Sequence, residues 1–295
     1  MRPWFALAVK FLGQDPQQRS NTMSMNTIGF LGAGNMAGAI IKGLIASGFE
    51  AKSIWVFDRN QDKRDGWAAL GLSIAKNADD LVIHSDALVL SVKPQGLKET
   101  CESIASAVAD HKPLILSVVA AIPAQSIAQW LSASLPIIRV MPNTPSLVQA
   151  GASGLFANNL CLPEHKAFAE TVFRAVGRIS WVEDEQLIHS VTAAAGSAPA
   201  YFFRFAEAMS KTALEQGLTE QQARTLIGQT MLGAAKMILE TNEDIGQMRK
   251  NVCSPNGTTE RAIFSFNDDQ IDTVVNNAMK ACFDRSVELT DLLSQ

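Results

Sequence analysis

The sequence is short of the residues that metal centres and disulfide frameworks need. Its 295 residues include only four cysteines and four histidines. The cysteines, Cys101, Cys161, Cys253 and Cys282, form no CxxC pair, and no cysteine–histidine cluster has the spacing of zinc ligands. We therefore expect no metal site, and we expect reduced thiols in a cytoplasmic protein.

Long apolar runs and an excess of positive charge are also missing. The most apolar stretch, residues 114–122, contains Ser117 and is far too short to cross a bilayer. The 25 Lys and Arg residues are outnumbered by 29 Asp and Glu, which makes the net charge −4, and no run of basic residues occurs. These absences argue against membrane and nucleic-acid partners. The motifs described below lead us to expect a small-molecule substrate instead.

The first residues differ in character from the rest of the chain. Residues 4–9 form a short apolar run that lacks the length and the cleavage site of a secretory signal. Met25 stands just before the first strong strand pattern. We expect Met25 to be the natural start.

Within residues 25–183, short apolar runs alternate with segments of helical length. The predicted strands are 27–31, 53–58, 72–75, 87–91, 114–117, 137–140, 153–157 and 179–182. The predicted helices are 35–47, 61–70, 97–109, 124–131 and 163–175. Several strands are apolar on consecutive residues, which is typical of strands covered on both faces. The alternation predicts an α/β, Rossmann-type dinucleotide-binding domain with a mainly parallel sheet.

Residues 184–295 lack strand patterns and are predicted to form an all-helical domain. The first helix is interrupted at Pro199. Abundant Ala, Gly and Met allow helices to approach closely, so we expect an intertwined homodimer here. The hydroxyl-rich loop described below makes this the expected substrate-binding domain.

Two capping patterns are expected to mark later helix starts in this region. Thr219 with Gln222 forms a capping box, in which each side chain bonds the other residue's backbone N–H. Asn267 with Gln270 is expected to begin the last helix in the same way.

A glycine-rich turn follows the first predicted strand with the spacing GxGxxA. Gly32 permits the tight turn, Gly34 lets the backbone approach a pyrophosphate, and Ala37 lets the helix pack closely on the sheet. The helix start offers unpaired N–H groups to the phosphates. Because the turn lies between a strand and a helix, we expect a dinucleotide cofactor; a purely structural turn is the alternative.

The end of the second strand gives conflicting signals about which nucleotide binds. Asp58 would bind the ribose hydroxyls of NAD, whereas Arg59 would accommodate the 2′-phosphate of NADP. If Asp58 points away or pairs with Arg59, the guanidinium and Asn60 are left to hold the phosphate. We expect NADPH, with NADH as the alternative.

Three further loops follow strands at the edge where open α/β sheets bind ligands. Residues 91–94 and 119–121 carry small residues and a proline that suit a flat wall against the cofactor. Lys93 is equally well explained as a solvated surface lysine. Residues 141–145 contain two prolines, and a structural turn explains them equally well.

A hydroxyl-rich segment, residues 251–259, precedes a helix predicted over 260–266. Ser254, Thr258 and Thr259 bring three hydroxyls to a helix start with exposed N–H groups, which is apt for a carboxylate. A threonine N-cap would explain one hydroxyl but not the cluster.

Five motifs resemble those of the pyrroline-5-carboxylate reductase family. They are GAGNM (32–36), SVKP (91–94), MPNTP (141–145), AGSAPAY (195–201) and CSPNGTT (253–259). They occur in the family's order and cover the chain from about residue 27 to its end. The resemblance implies NAD(P)H-dependent reduction of 1-pyrroline-5-carboxylate to L-proline, the last step of proline biosynthesis. It also implies substrate sites at a dimer interface, and rings of dimers.

The resemblance further implies roles for individual residues, with Thr258 and Thr259 holding the substrate carboxylate and ring nitrogen. Together with Arg59, the expected cofactor residues are Leu31, Gly32, Ala33, Gly34, Asn35, Met36, Asn60, Asn77, Ser91, Val92, Lys93, Pro94, Val119, Ala120, Ala121 and Asn251. The expected substrate residues are Glu185, Ser254, Gly257, Thr258 and Thr259. A hydroxyl that donates to the imine nitrogen makes the ring carbon electrophilic, so Thr259 is the expected catalytic residue.

Three departures from the family pattern are visible, one of which is Ala198, where glycine or serine is frequent. Glycine is frequent in the family at the positions of Asn256 and Ala121, and asparagine tolerates the left-handed backbone that glycine favours.

His189, in an apolar helical context, is expected to be a structural histidine, and Tyr201 is expected to pack with a partner for its buried hydroxyl.

Two rival functions remain. A β-hydroxyacid dehydrogenase would resemble this two-domain plan but would need a lysine just after the glycine-rich segment 196–199, and no lysine occurs before Lys211. A non-catalytic nucleotide sensor would not need the hydroxyl-rich loop.

Overall fold

The computed structural model describes residues 25–294, so the expectation about the start of the chain concerns residues outside this range. The eight predicted strands all form, and their ends lie within two residues of the predicted ones. They are β1 (Ile28–Leu31), β2 (Ile54–Phe57), β3 (Ser73–Ile74), β4 (Ala87–Leu90), β5 (Leu114–Ser117), β6 (Ile137–Met141), β7 (Gly151–Ala157) and β8 (Gly177–Trp181).

These strands form one sheet in the order β3-β2-β1-β4-β5-β6-β7-β8. All neighbouring pairs are parallel except β6 and β7, which are antiparallel. Every residue of β1, β4 and β5 is buried, because helices cover both faces of the sheet's centre. The predicted α/β class with a mainly parallel sheet is confirmed.

Helices surround the sheet and make up the region that follows it. They are α1 (Asn35–Ala46), α2 (Gln61–Ala68), α3 (Ala78–Ile83), α4 (Leu97–His111), α5 (Ala124–Trp130), α6 (Pro163–Arg174), α7 (Leu187–Val191), α8 (Ala198–Glu215), α9 (Glu220–Glu240), α10 (Ile245–Asn251), α11 (Thr258–Asp268) and α12 (Ile271–Leu293). The sequence patterns did not predict α3 and α10. Within residues 25–294, no helix is long and apolar enough to cross a membrane.

The predicted interruption at Pro199 is misplaced. The helix is broken earlier, by a π turn over Thr192–Gly196, and Pro199 lies in the first turn of α8. Proline is tolerated there because the first helical N–H groups have no partner within the helix.

One of the two predicted capping patterns is confirmed. Thr219 and Gln222 exchange both capping hydrogen bonds at the start of α9. The other is wrong, because Asn267 lies inside α11 and Gln270 precedes α12 with a left-handed φ of 55° and no side-chain cap.

Asn143 joins the sheet to the helical region, and His189 joins two helices within that region. The Asn143 amide donates to the Ala195 carbonyl (3.1 Å) and accepts from the Ala152 N–H (2.9 Å), so the 141–145 loop holds the π turn against β7. Buried His189 bonds the Ser286 hydroxyl at 2.9 Å and ties α7 to α12, as expected of a structural histidine. The motifs at the junction therefore serve to set one half against the other.

Candidate active site

The turn between β1 and α1 has the backbone that its glycines suggested. Gly32 has a φ of 95°, and a Cβ there would lie 2.9 Å from the Ser91 carbonyl oxygen. A Cβ on Gly34 would meet no heavy atom within 4 Å. Gly34 also begins α1 without a side-chain cap, so the helix N–H groups face open space in which a pyrophosphate fits.

This turn forms one wall of a cavity of about 750 Å³ that lies beyond the carboxyl ends of β1, β2 and β4. The expected cofactor residues that line it are Leu31, Gly32, Ala33, Gly34, Arg59, Asn77, Ser91, Val92 and Lys93. Asp58, weighed above as a ribose ligand, also lines the cavity. The lining residues that were not predicted are Phe57, Lys63, Ala78, Asp79, Gly96, Thr100 and Ser103. Lys63 lies in the first turn of α2, whereas Arg59 precedes the N-cap of that helix, so no sequence spacing indicated that both would reach the cavity.

Several expected cofactor residues do not line this cavity: Asn35, Met36, Asn60, Pro94, Val119, Ala120, Ala121 and Asn251. The Asn60 side chain accepts from the Lys63 N–H and caps α2 (3.2 Å). Val119 and Ala121 are buried. A cofactor contact from these residues stays a prediction.

The Asp58 carboxylate does not pair with Arg59. Of the two arrangements considered for Asp58, pointing away from the nucleotide or pairing with Arg59, the second is therefore wrong. One oxygen accepts from the Ala33 N–H (2.8 Å) and lies 3.3 Å from the Lys63 ammonium, and the other accepts from the Asn60 N–H (2.9 Å). Burial tends to raise the pKa of Asp58, but the two backbone N–H groups and Lys63 hold it below its usual value. Asp58 therefore clamps the glycine turn to the end of β2.

Ala121 occupies a backbone conformation that favours glycine. Its φ is 65°, in the left-handed region, and its side chain is buried. A β-carbon in this region crowds the backbone and costs roughly 1–2 kcal/mol. This explains why glycine suits the position better.

The start of α11 is an uncapped helix end rich in hydroxyls. The N-cap is Gly257, which has no side chain to cap the helix. A Cβ there would lie 2.9 Å from the Ser254 carbonyl oxygen. Among the described residues, the hydroxyls of Ser254, Thr258 and Thr259 have no hydrogen-bond partner. Asn256 has a φ of 58°, as the tolerance of asparagine predicted. The helix thus offers free N–H groups and three free hydroxyls at one point.

Asn251 lies at the end of α10, beside this loop rather than at the nucleotide cavity. Its amide donates to Glu243, and its oxygen accepts from Gln247 at 2.8 Å. A contact between Asn251 and the cofactor stays a prediction.

Glu185 is held within the sheet half of the chain. One oxygen accepts from the Arg139 guanidinium (2.9 Å) and from the Ala124 N–H at the start of α5 (2.7 Å). Arg139 is only 4% exposed; burial lowers its pKa, while the neighbouring carboxylate opposes that change. The expected position of Glu185 next to the substrate ring stays a prediction.

Tyr201 lacks the oxygen or nitrogen partner that was expected for its hydroxyl. This buried hydroxyl makes no hydrogen bond of ordinary geometry and lies beside the Cys282 thiol. Burial and the nearby thiol raise the pKa of Tyr201 to about 12. A neutral phenol of this kind packs rather than exchanges protons near pH 7.

Comparison with known proteins identifies both halves. Residues 185–289 match the family described as pyrroline-5-carboxylate reductase dimerisation, and residues 27–121 match the one described as NADP oxidoreductase, coenzyme F420-dependent. The chain is 41% identical over 275 residues to a pyrroline-5-carboxylate reductase of Pasteurella multocida, covering 92% of this chain and 100% of that one. A Haemophilus influenzae enzyme of the same name is 41% identical over 271 residues, with coverage of 92% and 100%.

Solved structures give the same result. A pyrroline-5-carboxylate reductase from Coxiella burnetii superposes with a TM-score of 0.87 at 39% identity, covering 90% of this chain and 99% of that one. The NADP-bound reductase of Plasmodium falciparum shares the fold, with a TM-score of 0.80 at 23% identity over 90% of this chain and 100% of that one. With relatives this similar along nearly its whole length, the chain belongs to the pyrroline-5-carboxylate reductase family.

Proposed function

We propose that this chain reduces 1-pyrroline-5-carboxylate to L-proline, the last step of proline biosynthesis, with a nicotinamide cofactor. The observation that carries the proposal is the uncapped start of α11, where free N–H groups and three free hydroxyls suit a small carboxylate. The same chain holds a nucleotide cavity at its glycine turn. A hydroxyacid dehydrogenase is disfavoured because α8 carries no lysine before Lys211.

The reaction asks for orientation and one proton. A nicotinamide cofactor held in the cavity would supply a hydride to the imine carbon, and a proton must reach the ring nitrogen for C=N to become CH–NH. Backbone N–H groups of α11 hold the carboxylate, and the Thr258 hydroxyl adds a second contact. The Thr259 hydroxyl donates to the ring nitrogen and makes the adjacent carbon electrophilic.

A second copy of the chain completes the site. The residues that line the nucleotide cavity all lie between Leu31 and Ser103, so α11 contributes nothing to it. Large apolar side chains are exposed on α8, α9, α11 and α12, among them Phe202, Phe203, Leu226, Leu232, Phe264 and Val274. A homodimer covers this surface and sets one protomer's substrate loop against a nucleotide cavity; rings of such dimers are the larger assembly we propose.

NADPH is the proposed physiological cofactor. Arg59 lines the cavity, and its guanidinium is not engaged by Asp58. A bidentate pair with the 2′-phosphate would then favour NADPH over NADH. Comparing kcat/KM for the two nucleotides in wild type and Arg59→Ala tests this, and an unchanged NADPH preference in the variant contradicts it.

A cytoplasmic location is proposed on the basis of the thiols. All four cysteines are free in the structure. Burial raises the pKa of Cys101 to about 12 and that of Cys161 to about 11, so both stay protonated and unreactive. Unpaired thiols of this kind are typical of reducing compartments.

The deciding experiment is the loss of NADPH absorbance on addition of 1-pyrroline-5-carboxylate, with proline identified as the product. Oxidation of a panel of hydroxyacids with NADP⁺ is the control for the dehydrogenase. Tight NADPH binding without turnover of either substrate class would identify a nucleotide sensor and refute the proposal.

A further inference from the structure

Lys63 lies in the nucleotide cavity although it is distant from the glycine turn in the sequence. It is the third residue of α2, and its side chain lines the cavity together with Arg59. Its ammonium lies 3.3 Å from an Asp58 oxygen, and its side chain is 46% exposed. The two cations thus flank the strand end at which a ribose would bind.

Asp58 is a poor ligand for ribose hydroxyls in this arrangement. An acidic residue that binds a ribose needs lone pairs directed at two hydroxyl groups. Both oxygens of Asp58 already accept backbone N–H groups, from Ala33 and Asn60, and its side chain is only 14% exposed. Turning it toward a ribose would release the glycine turn.

The pair between Lys63 and Asp58 is loose and can be exchanged. Its length of 3.3 Å exceeds the roughly 2.7–2.9 Å of a tight charge-assisted bond. Lysine carries its charge on a flexible four-carbon stem, so the ammonium can turn toward a nearby dianion without moving the backbone. The charged residues that line the cavity are Arg59, Lys63 and Lys93 against Asp58 and Asp79, so its lining carries an excess of positive charge.

We propose that Lys63 is a specificity-determining residue that binds the 2′-phosphate of NADPH alongside Arg59, while Asp58 acts as a positioning residue for the glycine turn. The inference rests on the nucleotide-binding part of the proposed function. It assigns the selectivity to two cations four residues apart, one before α2 and one in its first turn, rather than to Arg59 alone.

Calorimetric binding of 2′,5′-ADP and 5′-AMP tests this directly, since the two probes differ only in the 2′-phosphate. We expect Lys63→Gln to weaken 2′,5′-ADP binding by about tenfold or more, as the loss of a charge-assisted phosphate contact implies, and to change 5′-AMP binding by less than about twofold. Lys63→Arg keeps the charge and should keep most of the selectivity. Lys52→Gln, at the other end of β2, is the matched control and should change neither affinity.

Three results would overturn the inference: equal weakening of both probes by Lys63→Gln, no change in either, or a wild-type protein that does not distinguish them. Far-UV circular dichroism shows whether each variant is folded, and Lys63→Arg provides the test if the glutamine variant is not. Because binding is measured without turnover, failure of the 1-pyrroline-5-carboxylate assay would remove the proposed reaction and leave this result standing.

Discussion

The sheet half and the helical half of this chain differ in where their apolar side chains lie. In the sheet half, Phe30, Leu88 and Leu116 are fully buried between two layers of helices. On α8 of the helical half, Phe202 and Phe203 are 60% and 67% exposed. The first half contains its own core, whereas the second presents the surface of a core that needs another partner.

The comparison also separates two kinds of ligand site. The nucleotide cavity is built within one domain, at the ends of adjacent parallel strands. The hydroxyl-rich start of α11 stands apart from it, on the half that lacks a closed core. Stability of the helical half and completion of the catalytic site are therefore expected to depend on the same association.

The largest expected effect comes from placing a charge on the exposed apolar surface of α8. Phe203→Glu should convert the protein to monomers and abolish reductase activity, because a buried unpaired carboxylate opposes association. Sedimentation velocity and activity measure both outcomes. Leu70→Glu, on an equally apolar exposed residue of the sheet half, is the control and should leave both unchanged. A dimeric Phe203→Glu protein would show that the surface is not the interface.

Removing one hydroxyl at the start of α11 should impair the reaction while leaving the fold intact. Thr259→Val should lower kcat by roughly ten- to ten-thousandfold if the hydroxyl delivers the proton. Steady-state kinetics with saturating NADPH measure the effect. Thr273→Val, a threonine in the first turn of α12, is the matched control. A change confined to KM would reduce Thr259 to a binding residue.

The buried contact between His189 and Ser286 in the helical half should make stability depend on pH. Burial and, to a lesser degree, Arg139 lower the pKa of His189, so the folded protein keeps it neutral. Below about pH 6.5, His189 takes up a proton in the unfolded chain but not in the folded protein. The free energy of unfolding therefore falls as the pH is lowered, by at most about 1.4 kcal/mol per pH unit.

Thermal unfolding measured from about pH 5 to 8, the range in which an ordinary histidine titrates, tests this loss of stability. His189→Gln should be less stable at neutral pH and should lose much of the acid dependence. His84→Gln, which changes an exposed histidine, is the control. Identical pH slopes for wild type and His189→Gln would contradict the assignment.

The smallest expected effect lies inside the self-contained half. Ala121→Gly should raise the free energy of unfolding by about 1 kcal/mol, since glycine adopts the left-handed backbone without crowding. Ala120→Gly, next to it but without a positive φ, should be neutral or destabilising. Denaturant unfolding of both variants tests the sign, and a destabilised Ala121→Gly would refute the strain argument.

The strands were predictable because helices on both sides make them apolar on consecutive residues, as β4 and β5 show. The helix α3 was missed because its six residues are too few to show a helical period. The start of α12 was misplaced because Gln270 begins it through a left-handed backbone rather than a side-chain cap. The nature of such a helix end depends on how the preceding α11 packs.

Local patterns in the chain were enough to establish the order of strands and helices, the glycine turn and the hydroxyl-rich loop. Each of these depends on neighbours within a few residues, whose backbone preferences are written in the residue types. The fold alone settled that Asp58 holds Ala33, that Lys63 reaches the nucleotide cavity, and that Glu185 pairs with Arg139. Those contacts join residues from separate elements, so they exist only once the sheet and its helices have packed together.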